Sequence, residues 1–250
     1  MNYSDGVIEE ASVLLMDQLP REATPVPAVR ARHLQLDGRR GRVYGPVDLD
    51  LAPGTVTLVT GGAGTGKTSL LLTLVGRMRP NRGSDLVVLG RRLPGRTAAV
   101  QRRSAAVGIH GLDDLDEEVS VAATVRERQA WLAPWYRIVR TPDDAAVAEL
   151  CAGVFGRSPV PRARQLVHEL DEVANLQLRL ALALLGRPDL VVVDDIDALH
   201  DTDGRRLVWE SLRTLSRYGV TVVASAASAS ELSRLGWDEP PLHLPLPAHA

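Results

Sequence analysis

The glycine-rich segment GGAGTGKT contains Lys67, and every other basic residue among the 29 in the chain is arginine. The segment fits the pattern G-x-x-x-x-G-K-[ST], in which the backbone N–H groups of a turn surround phosphates and the following helix directs its positive end at them. A compact ammonium can reach the phosphates inside such a loop, whereas a planar guanidinium is bulkier and prefers a bidentate fork. We therefore predict that nucleotide phosphates are bound by Gly61, Gly62, Ala63, Gly64, Thr65, Gly66, Lys67, Thr68 and Ser69.

Two aspartates, Asp194 and Asp195, follow directly on the four apolar residues LVVV. A phosphate-binding loop needs a carboxylate to hold its metal ion, usually at the C-terminal end of a buried strand. We predict that Asp194 and Thr68 hold Mg²⁺ and that Asp195 is the general base that polarises an attacking water. Without the phosphate-binding loop, the same residues would equally be an ordinary strand that ends in an acidic loop.

The residues around the loop predict the strand, loop and helix that the motif requires. Two strands, in VRARHLQL and VDLDL, precede a Pro53-Gly54 turn and a further strand from 56 to 59 that enters the loop. The helix after the loop is predicted from Lys67 to about Arg79, before Pro80. Residues 83–93 are predicted to form one more strand.

Helices and buried strands are predicted for the second half of the chain. Residues 113–170 are mainly helical in pattern, with Ser120 capping a helix to Leu132, Thr141 opening the next and Asp171 capping a third. Residues 189–195 and 219–225 have the continuous apolar pattern of strands in a parallel sheet. Residues 4–19 have helical spacing, and we expect this helix to pack on its own domain or on a partner. We expect the segment PPLHLPLPAHA, within the proline-rich tail at 236–250, to be extended.

Composition excludes several classes of protein. The net charge of −2 argues against a nucleic-acid binder, which would show a basic face or tail. Cys151 is the single cysteine, so the chain forms no internal disulfide and no cysteine metal cluster, as expected in a reducing cytoplasm. The start of the chain lacks the pattern of a signal peptide, and no run approaches 18 apolar residues. We therefore expect a cytoplasmic protein.

Three segments together resemble the ATP-binding subunits of ATP-binding cassette (ABC) transporters. They are the run from VDLDLAPG to VVLGRRL, the run LALALLGRPDLVVVDD that leads into the acidic strand, and ALHD, which resembles the D-loop of that family. The AAA+ family is the rival, because GTGKT and VVVDDIDAL suit it too. Lys67 and Asp194 are 127 residues apart, which leaves room for the helical subdomain of an ABC protein, and AAA+ proteins place these motifs closer.

The resemblance implies an α/β P-loop NTPase fold: a RecA-like core with a mostly parallel sheet, a small antiparallel β subdomain and an inserted helical subdomain at about 113–175. The implied domains are an N-terminal helix and linker at 1–28, the ATP-binding domain at 29–235 and the tail. The implied function is Mg-ATP binding with weak hydrolysis, beside an integral membrane permease on a separate chain and a possible second ATP-binding subunit. A nucleotide-dependent switch that regulates a partner is the alternative, and a DNA-maintenance relative is weaker because no coiled-coil insertion is visible.

The sequence departs from that family's pattern at four places. The signature slot falls on LDEVA, residues 170–174, so Asp171 and Glu172 lie where the opposite subunit's γ-phosphate should approach. This predicts a poor ATP-dependent homodimer. The Q-loop slot falls on His110 and the switch-histidine slot on Ala227. No aromatic residue matches the one that stacks on adenine, because Arg39 and Arg40 lie near its place and Tyr44 follows a few residues late.

Overall fold

The computed structural model describes residues 27–230, 237 and 240–247. The N-terminal helix predicted at 4–19 lies outside these residues. The strands are β1 (Val29–Gly38), β2 (Gly41–Leu51), β3 (Val56–Thr60), β4 (Asp85–Val88), β5 (Arg91–Leu93), β6 (Ser104–Val107), β7 (Leu190–Val193), β8 (Thr221–Ala226) and β9 (Leu242–Pro245). The α-helices are α1 (Lys67–Leu74), α2 (Thr97–Gln101), α3 (Val121–Leu132), α4 (Asp144–Phe155), α5 (Glu172–Leu184) and α6 (Thr202–Arg217).

Five strands form a parallel sheet in the order β6-β7-β8-β3-β9. Strands β3, β7 and β8 are buried along their whole length, which explains their continuous apolar sequences. Because β7 and β3 both pair in parallel with β8, the residues that follow β3 and β7 lie close together at the C-terminal ends of the strands. The predicted strands at 189–195 and 219–225 are confirmed with slightly different ends.

Part of the proline-rich tail belongs to this sheet. Residues Leu242–Pro245 form β9 and pair with β3, and Leu246 N then donates to Thr60 O at 2.7 Å. His243 Nε2 lies 2.7 Å from Thr60 Oγ1. The segment is extended as predicted, and it also forms the edge of the sheet beside the strand that enters the glycine-rich loop.

The remaining four strands form an antiparallel sheet in the order β2-β1-β4-β5. The single strand predicted at 83–93 is wrong, because the chain reverses there and forms the β4–β5 hairpin. Leu89 and Gly90 have φ values of 49° and 72°, as a tight two-residue turn requires. Leucine is uncommon at such a position, so the sequence carries little signal for the turn.

The helix after the glycine-rich loop is shorter than predicted. It ends at Leu74, because Gly76 takes a left-handed conformation (φ 71°) and the N–H of Arg77 turns back to Leu72 O at 2.8 Å. Glycine in this conformation is a common way to end a helix, and it acts here before Pro80 can.

Helices α3 and α4 lie between β6 and β7 in the chain, and α5 follows them. Ser120 caps α3 by accepting from Ala123 N at 3.2 Å, as predicted. The cap of α4 is Asp143, which accepts from Ala146 N at 2.9 Å, so the assignment of that cap to Thr141 is wrong. Thr141 lies too far before the first helical turn to reach its N–H groups.

Two clusters of buried side chains fill the space on the faces of the parallel sheet, one beneath the antiparallel sheet and one beneath helices α4, α5 and α6. A parallel sheet with helices, a small antiparallel sheet and an inserted helical segment is the α/β architecture predicted from the sequence. No helix among the described residues is both long and apolar enough to cross a membrane.

Candidate nucleotide-binding site

The glycine-rich loop leads from β3 to α1 and folds around the side chain of Lys67. The ammonium group donates to Gly61 O at 2.7 Å and to Gly62 O at 3.0 Å. Thr65 Oγ1 donates to Gly62 O at 3.0 Å, and Leu70 N closes the first turn of α1 on Gly66 O at 2.8 Å. The only lysine of the sequence therefore lies at the positive end of a helix, held by backbone carbonyls that a phosphate can displace.

Two glycines of the loop are required by their neighbours. A Cβ on Gly66, where φ is 86°, would lie 2.2 Å from Val43 O, and a Cβ on Gly61 would lie 2.8 Å from Leu246 O. A Cβ on Gly62 or on Gly64 would meet nothing within 4 Å, so these two positions face open space. Gly66 and Gly61 thus let the loop pack on β2 and on the chain after β9, and the open side of the loop is available to a ligand.

The structure brings Thr68 and Asp194 together, although 126 residues separate them. Thr68 Oγ1 donates to Asp194 Oδ2, and Ser225 Oγ donates to Asp194 Oδ1. Asp194 is 7 % exposed and Ser225 is fully buried, so the carboxylate has a fixed orientation toward the start of α1. An ionised carboxylate at such a place needs hydrogen-bond donors, and the two hydroxyls supply them.

Asp195 follows in a left-handed conformation, with φ 50° and ψ 55°. Its N–H donates to Ser225 Oγ at 2.9 Å, and its side chain is exposed. Partial burial raises the pKa of the Asp195 carboxyl, as does the charge of Asp194, whereas Lys67 lowers it. A raised pKa suits a group that accepts a proton from water.

The Q-loop slot holds an exposed histidine, and the loop around it is fixed to α5 by an ion pair. His110 is fully exposed and lies 3.2 Å, through Nδ1, from Asp114 Oδ2. Asp113 accepts the N–H groups of Gly108 and Ile109, each at 2.9 Å, and both ends of its carboxylate bind Arg179 of α5, at 2.6 and 2.8 Å. The loop after β6 is therefore fixed to α5 by a bidentate ion pair.

The two carboxylates of the signature slot have internal partners. Asp171 caps α5 by accepting from Ala174 N at 2.7 Å, as predicted. Glu172 accepts from His200 N at 3.1 Å and lies 2.9 Å from His200 Nδ1. The backbone N–H of His200, and then its ring, lower the pKa of Glu172, so this carboxylate keeps its negative charge near the surface.

The two other slots lack their usual side chains as well. Ala227 offers only its N–H, which donates to Asp197 Oδ2. Tyr44 is fully buried and donates to Thr73 Oγ1 at 2.8 Å, and burial raises the pKa of its phenol to about 12. It cannot stack on a base in this position. Arg39 and Arg40 are exposed at the turn between β1 and β2.

A cavity of about 540 Å³ opens beside Asp194 and Asp195. Its lining also includes Gly108 and His110 from the loop after β6, and Glu172 from the signature slot. Among the described residues no group of three or more His, Cys, Asp or Glu could hold a metal ion by itself. Mg²⁺ keeps several waters and takes few protein oxygens when phosphates supply the rest, so a hydroxyl and one carboxylate fit its needs.

Two contributors to the site were missed from the sequence. Ser225 joins Asp194 to the backbone of Asp195, and a serine within an apolar run was the available signal. The segment around β9 supports the loop through Leu246 and His243, and the alternation in LHLPL was the signal there.

Comparison with known proteins points to one family. A family model described as "ABC transporter" matches residues 44–198, which is more than half of the chain. The Nod factor export ATP-binding protein I of Cupriavidus metallidurans is 30% identical over 191 residues, covering 76% of this chain and 59% of the relative. The protein of the same name from Mesorhizobium japonicum is 30% identical over 193 residues, covering 77% and 54%. The chain thus spans less than two thirds of the length of these curated relatives.

Solved structures share the fold at lower sequence identity. The structure of cbiO1 from Clostridium perfringens, part of the ABC transporter complex cbiONQ, gives a TM-score of 0.65 at 16% identity, covering 81% of this chain and 79% of that one. A putative ABC transporter ATP-binding protein from Pyrococcus furiosus gives a TM-score of 0.64 at 18% identity, covering 87% and 96%.

Proposed function

Because the chain belongs to the ABC transporter family, we propose that it binds Mg-ATP at residues 61–69 and hydrolyses it weakly, as the ATP-binding subunit of a membrane transport system. The observation that carries the proposal is the hydrogen bond between Thr68 and Asp194, beside the ammonium of Lys67. It joins the hydroxyl and the carboxylate that would hold the metal ion, and Thr68 directly follows the lysine that would bind phosphate.

The side chains take distinct roles in this proposal. Lys67 and the N–H groups of the loop bind the β- and γ-phosphates, and Thr68 and Asp194 hold Mg²⁺, which neutralises phosphate charge when bound. Ser225 keeps the Asp194 carboxylate in place. Asp195 accepts a proton from the attacking water, for which its raised pKa is suitable.

The partner in this proposal is an integral membrane permease on a separate chain. A cavity of about 510 Å³ between α3 and the loop after β6 supports it, because Leu112, Asp113 and Trp131 line it together with Arg179. The bidentate pair of Asp113 and Arg179 would connect a segment bound there to the neighbourhood of Asp194. A second ATP-binding subunit with an intact signature would supply the γ-phosphate contact that Asp171 and Glu172 do not offer.

This assignment gives the chain a peripheral position at the cytoplasmic face of a membrane. We also propose that the chain is divided into an N-terminal helix and linker at 1–28, an ATP-binding domain at 29–235 with a helical subdomain at about 113–175, and a tail at 236–250. The strand β9 within that tail packs on the ATP-binding domain.

Binding of Mg-ATP by the Lys67→Ala variant, measured by isothermal titration calorimetry, tests the site. Loss of hydrogen bonds between a charged donor and phosphate should weaken affinity at least about tenfold. Arg79→Ala removes an exposed basic side chain shortly after α1 and serves as the matched control. Equal affinities of wild type and Lys67→Ala would overturn the assignment of the phosphate site.

A further inference from the structure

An exposed group of aromatic and apolar side chains lies in the last turn of α3 and in the residues that follow it. Trp135 is 96% exposed, Ile138 90%, Trp131 78% and Tyr136 72%. Three of the nine aromatic residues of the chain thus lie within six positions, on the surface. Exposure of single apolar residues is ordinary, but a contiguous group of large rings marks an interaction surface.

The backbone holds this group in a defined arrangement. Arg137 N donates to Pro134 O at 2.9 Å, which closes a turn, and Arg126 Nε of α3 donates to Val139 O at 3.1 Å, which fixes the returning chain to the helix. The rings of Trp135 and Tyr136 pack edge to face, with their centroids 5.9 Å apart. The rings are therefore presented by a folded loop that is tied to α3.

Arginines flank the exposed rings in the sequence. Residues 126–140 contain four arginines and one glutamate, a local charge of +3 in a chain whose net charge is −2. Arg137 and Arg140 are exposed, and within the part of the chain that the structure describes neither forms an ion pair. We call this surface the aromatic–arginine patch, made of Arg126, Arg128, Trp131, Trp135, Tyr136, Arg137, Ile138 and Arg140.

We propose that the aromatic–arginine patch binds the surface of an anionic lipid bilayer directly, without a permease. Trp and Tyr are the side chains that favour the boundary between headgroups and acyl chains, where a ring is apolar on its faces and polar at its edge. Arginines next to them pair with lipid phosphates and are attracted by the negative surface potential. Charge complementarity thus selects an acidic surface as the occupant. In a dimer formed through two copies of the patch, by contrast, arginines would face arginines and repel each other.

The position of the patch agrees with this occupant. Trp131 belongs to the patch and also lines the cavity beside α3 that the proposed function assigns to the permease. A permease lies in the bilayer, so a surface continuous with its docking cavity is directed toward the same membrane. This step rests on the proposed function, whereas the composition and exposure of the patch do not.

Co-sedimentation of the full chain with vesicles tests the proposal without any permease. Vesicles that contain phosphatidylglycerol should bind the protein, and vesicles of phosphatidylcholine alone should bind it much less. The emission of the exposed tryptophans should shift to shorter wavelength on binding. Raising salt from about 0.1 M to about 1 M shortens the Debye length from roughly 10 Å to 3 Å, and this should release the protein.

Two variants separate the roles of rings and charges. Trp135→Ala/Tyr136→Ala should abolish vesicle binding, and Arg137→Glu should weaken it by about 30-fold because it reverses one charge near the surface. Arg157→Glu is the matched control, because it makes the same change in charge outside the patch. The patch precedes the start of α4 and Arg157 follows its end, roughly 18 Å away along the helix, so this variant should bind vesicles as wild type does.

Because all the substituted side chains are exposed, Mg-ATP affinity should be unchanged in each variant and reports that the fold is intact. Absence of vesicle binding by the wild type, or binding that is equal for both lipids, would overturn the proposal. Equal weakening by Arg137→Glu and Arg157→Glu would also overturn it, because it would show only a general charge effect.

Discussion

At the scale of single residues, the site depends on a serine outside the motifs. Ser225 donates to the carboxylate of Asp194 and accepts the N–H of Asp195, so one buried hydroxyl orients both acidic positions. Thr68 completes the arrangement from the other side. The Mg²⁺ site that we propose is therefore shared by three structural elements that are far apart in the sequence: the start of α1, the end of β7 and the end of β8.

Ser225→Ala should impair both stability and the response to Mg²⁺. The change removes only the hydroxyl and leaves the buried Asp194 carboxylate without one donor, which costs about 1–3 kcal/mol in the free energy of unfolding. The Mg²⁺ concentration needed for half-maximal ATP binding should rise, and urea unfolding and nucleotide titrations measure the two effects.

Thr57→Val is the matched control for this change. Thr57 lies on the neighbouring strand β3, and its buried hydroxyl has no hydrogen-bond partner among the described residues. Its removal should leave stability and the Mg²⁺ response nearly unchanged. If the two variants behave alike, the role of Ser225 in holding Asp194 is wrong.

The glycine-rich loop and the acidic pair could be proposed as a site from sequence, because their chemistry depends on a short and specific spacing. The contacts of Ser225 could not be predicted, since a serine in an apolar strand shows no partner until the sheet order is known. The same holds for Glu172, whose charge is held by His200 from a segment 28 residues later. Contacts of this kind depend on tertiary structure and leave no local pattern.

At the scale of elements, local signals predicted the helix starts better than the turns. Ser120 and Asp171 cap α3 and α5 as predicted, because a side-chain acceptor next to the first turn is a local feature. The early end of α1 and the β4–β5 hairpin were missed. Each depends on a left-handed residue, Gly76 or Leu89, whose conformation is set by the packing around it.

Gly108, the first residue after β6, packs against the backbone of Asp194 at the end of β7. Gly108→Ala should therefore destabilise the protein. Its φ is 77°, and an added Cβ would lie 2.7 Å from Asp194 O. The left-handed conformation costs an alanine roughly 1–2 kcal/mol, and the close contact should add about 1–3 kcal/mol. Thermal or urea unfolding measures the sum.

Gly111→Ala separates these two costs. Gly111 has nearly the same φ, 76°, but a Cβ there would meet nothing within 4 Å. We expect this variant to lose only the conformational part and to retain Mg-ATP affinity, whereas Gly108→Ala weakens it. Equal losses in the two variants would show that the contact with Asp194 O has no energetic effect.

At the scale of the whole molecule, the sequence predicted the α/β architecture but not the order of the strands in the sheet. Alternating strands and helices with a helical insertion indicate an α/β fold with a parallel sheet. The order β6-β7-β8-β3-β9 was not predictable, because the pairing of buried strands is decided by long-range packing. Strand β9 shows this most clearly, since part of a proline-rich tail becomes the edge strand beside β3, which enters the glycine-rich loop.

The two halves of the nucleotide site differ in their preservation. Lys67, Thr68 and Asp194 form the half that we propose to bind Mg-ATP, whereas the signature and switch slots hold Glu172 and Ala227. We therefore expect a chain that binds ATP well and hydrolyses it slowly on its own. A regulatory module without turnover is the alternative that the same slots suggest.

Steady-state ATP hydrolysis by the full chain, with Mg-ATP binding followed in parallel, tests whether this chain is an ATPase that uses Asp195 as its base. We predict slow, Mg²⁺-dependent turnover that is lost in Lys67→Ala together with binding, and lost in Asp195→Asn with binding retained. Asp203→Asn, which changes a highly exposed carboxylate on α6, should hydrolyse ATP as wild type does. Unchanged turnover in Asp195→Asn, or tight binding by wild type without any turnover, would contradict the account of Asp195 as the base of an ATPase.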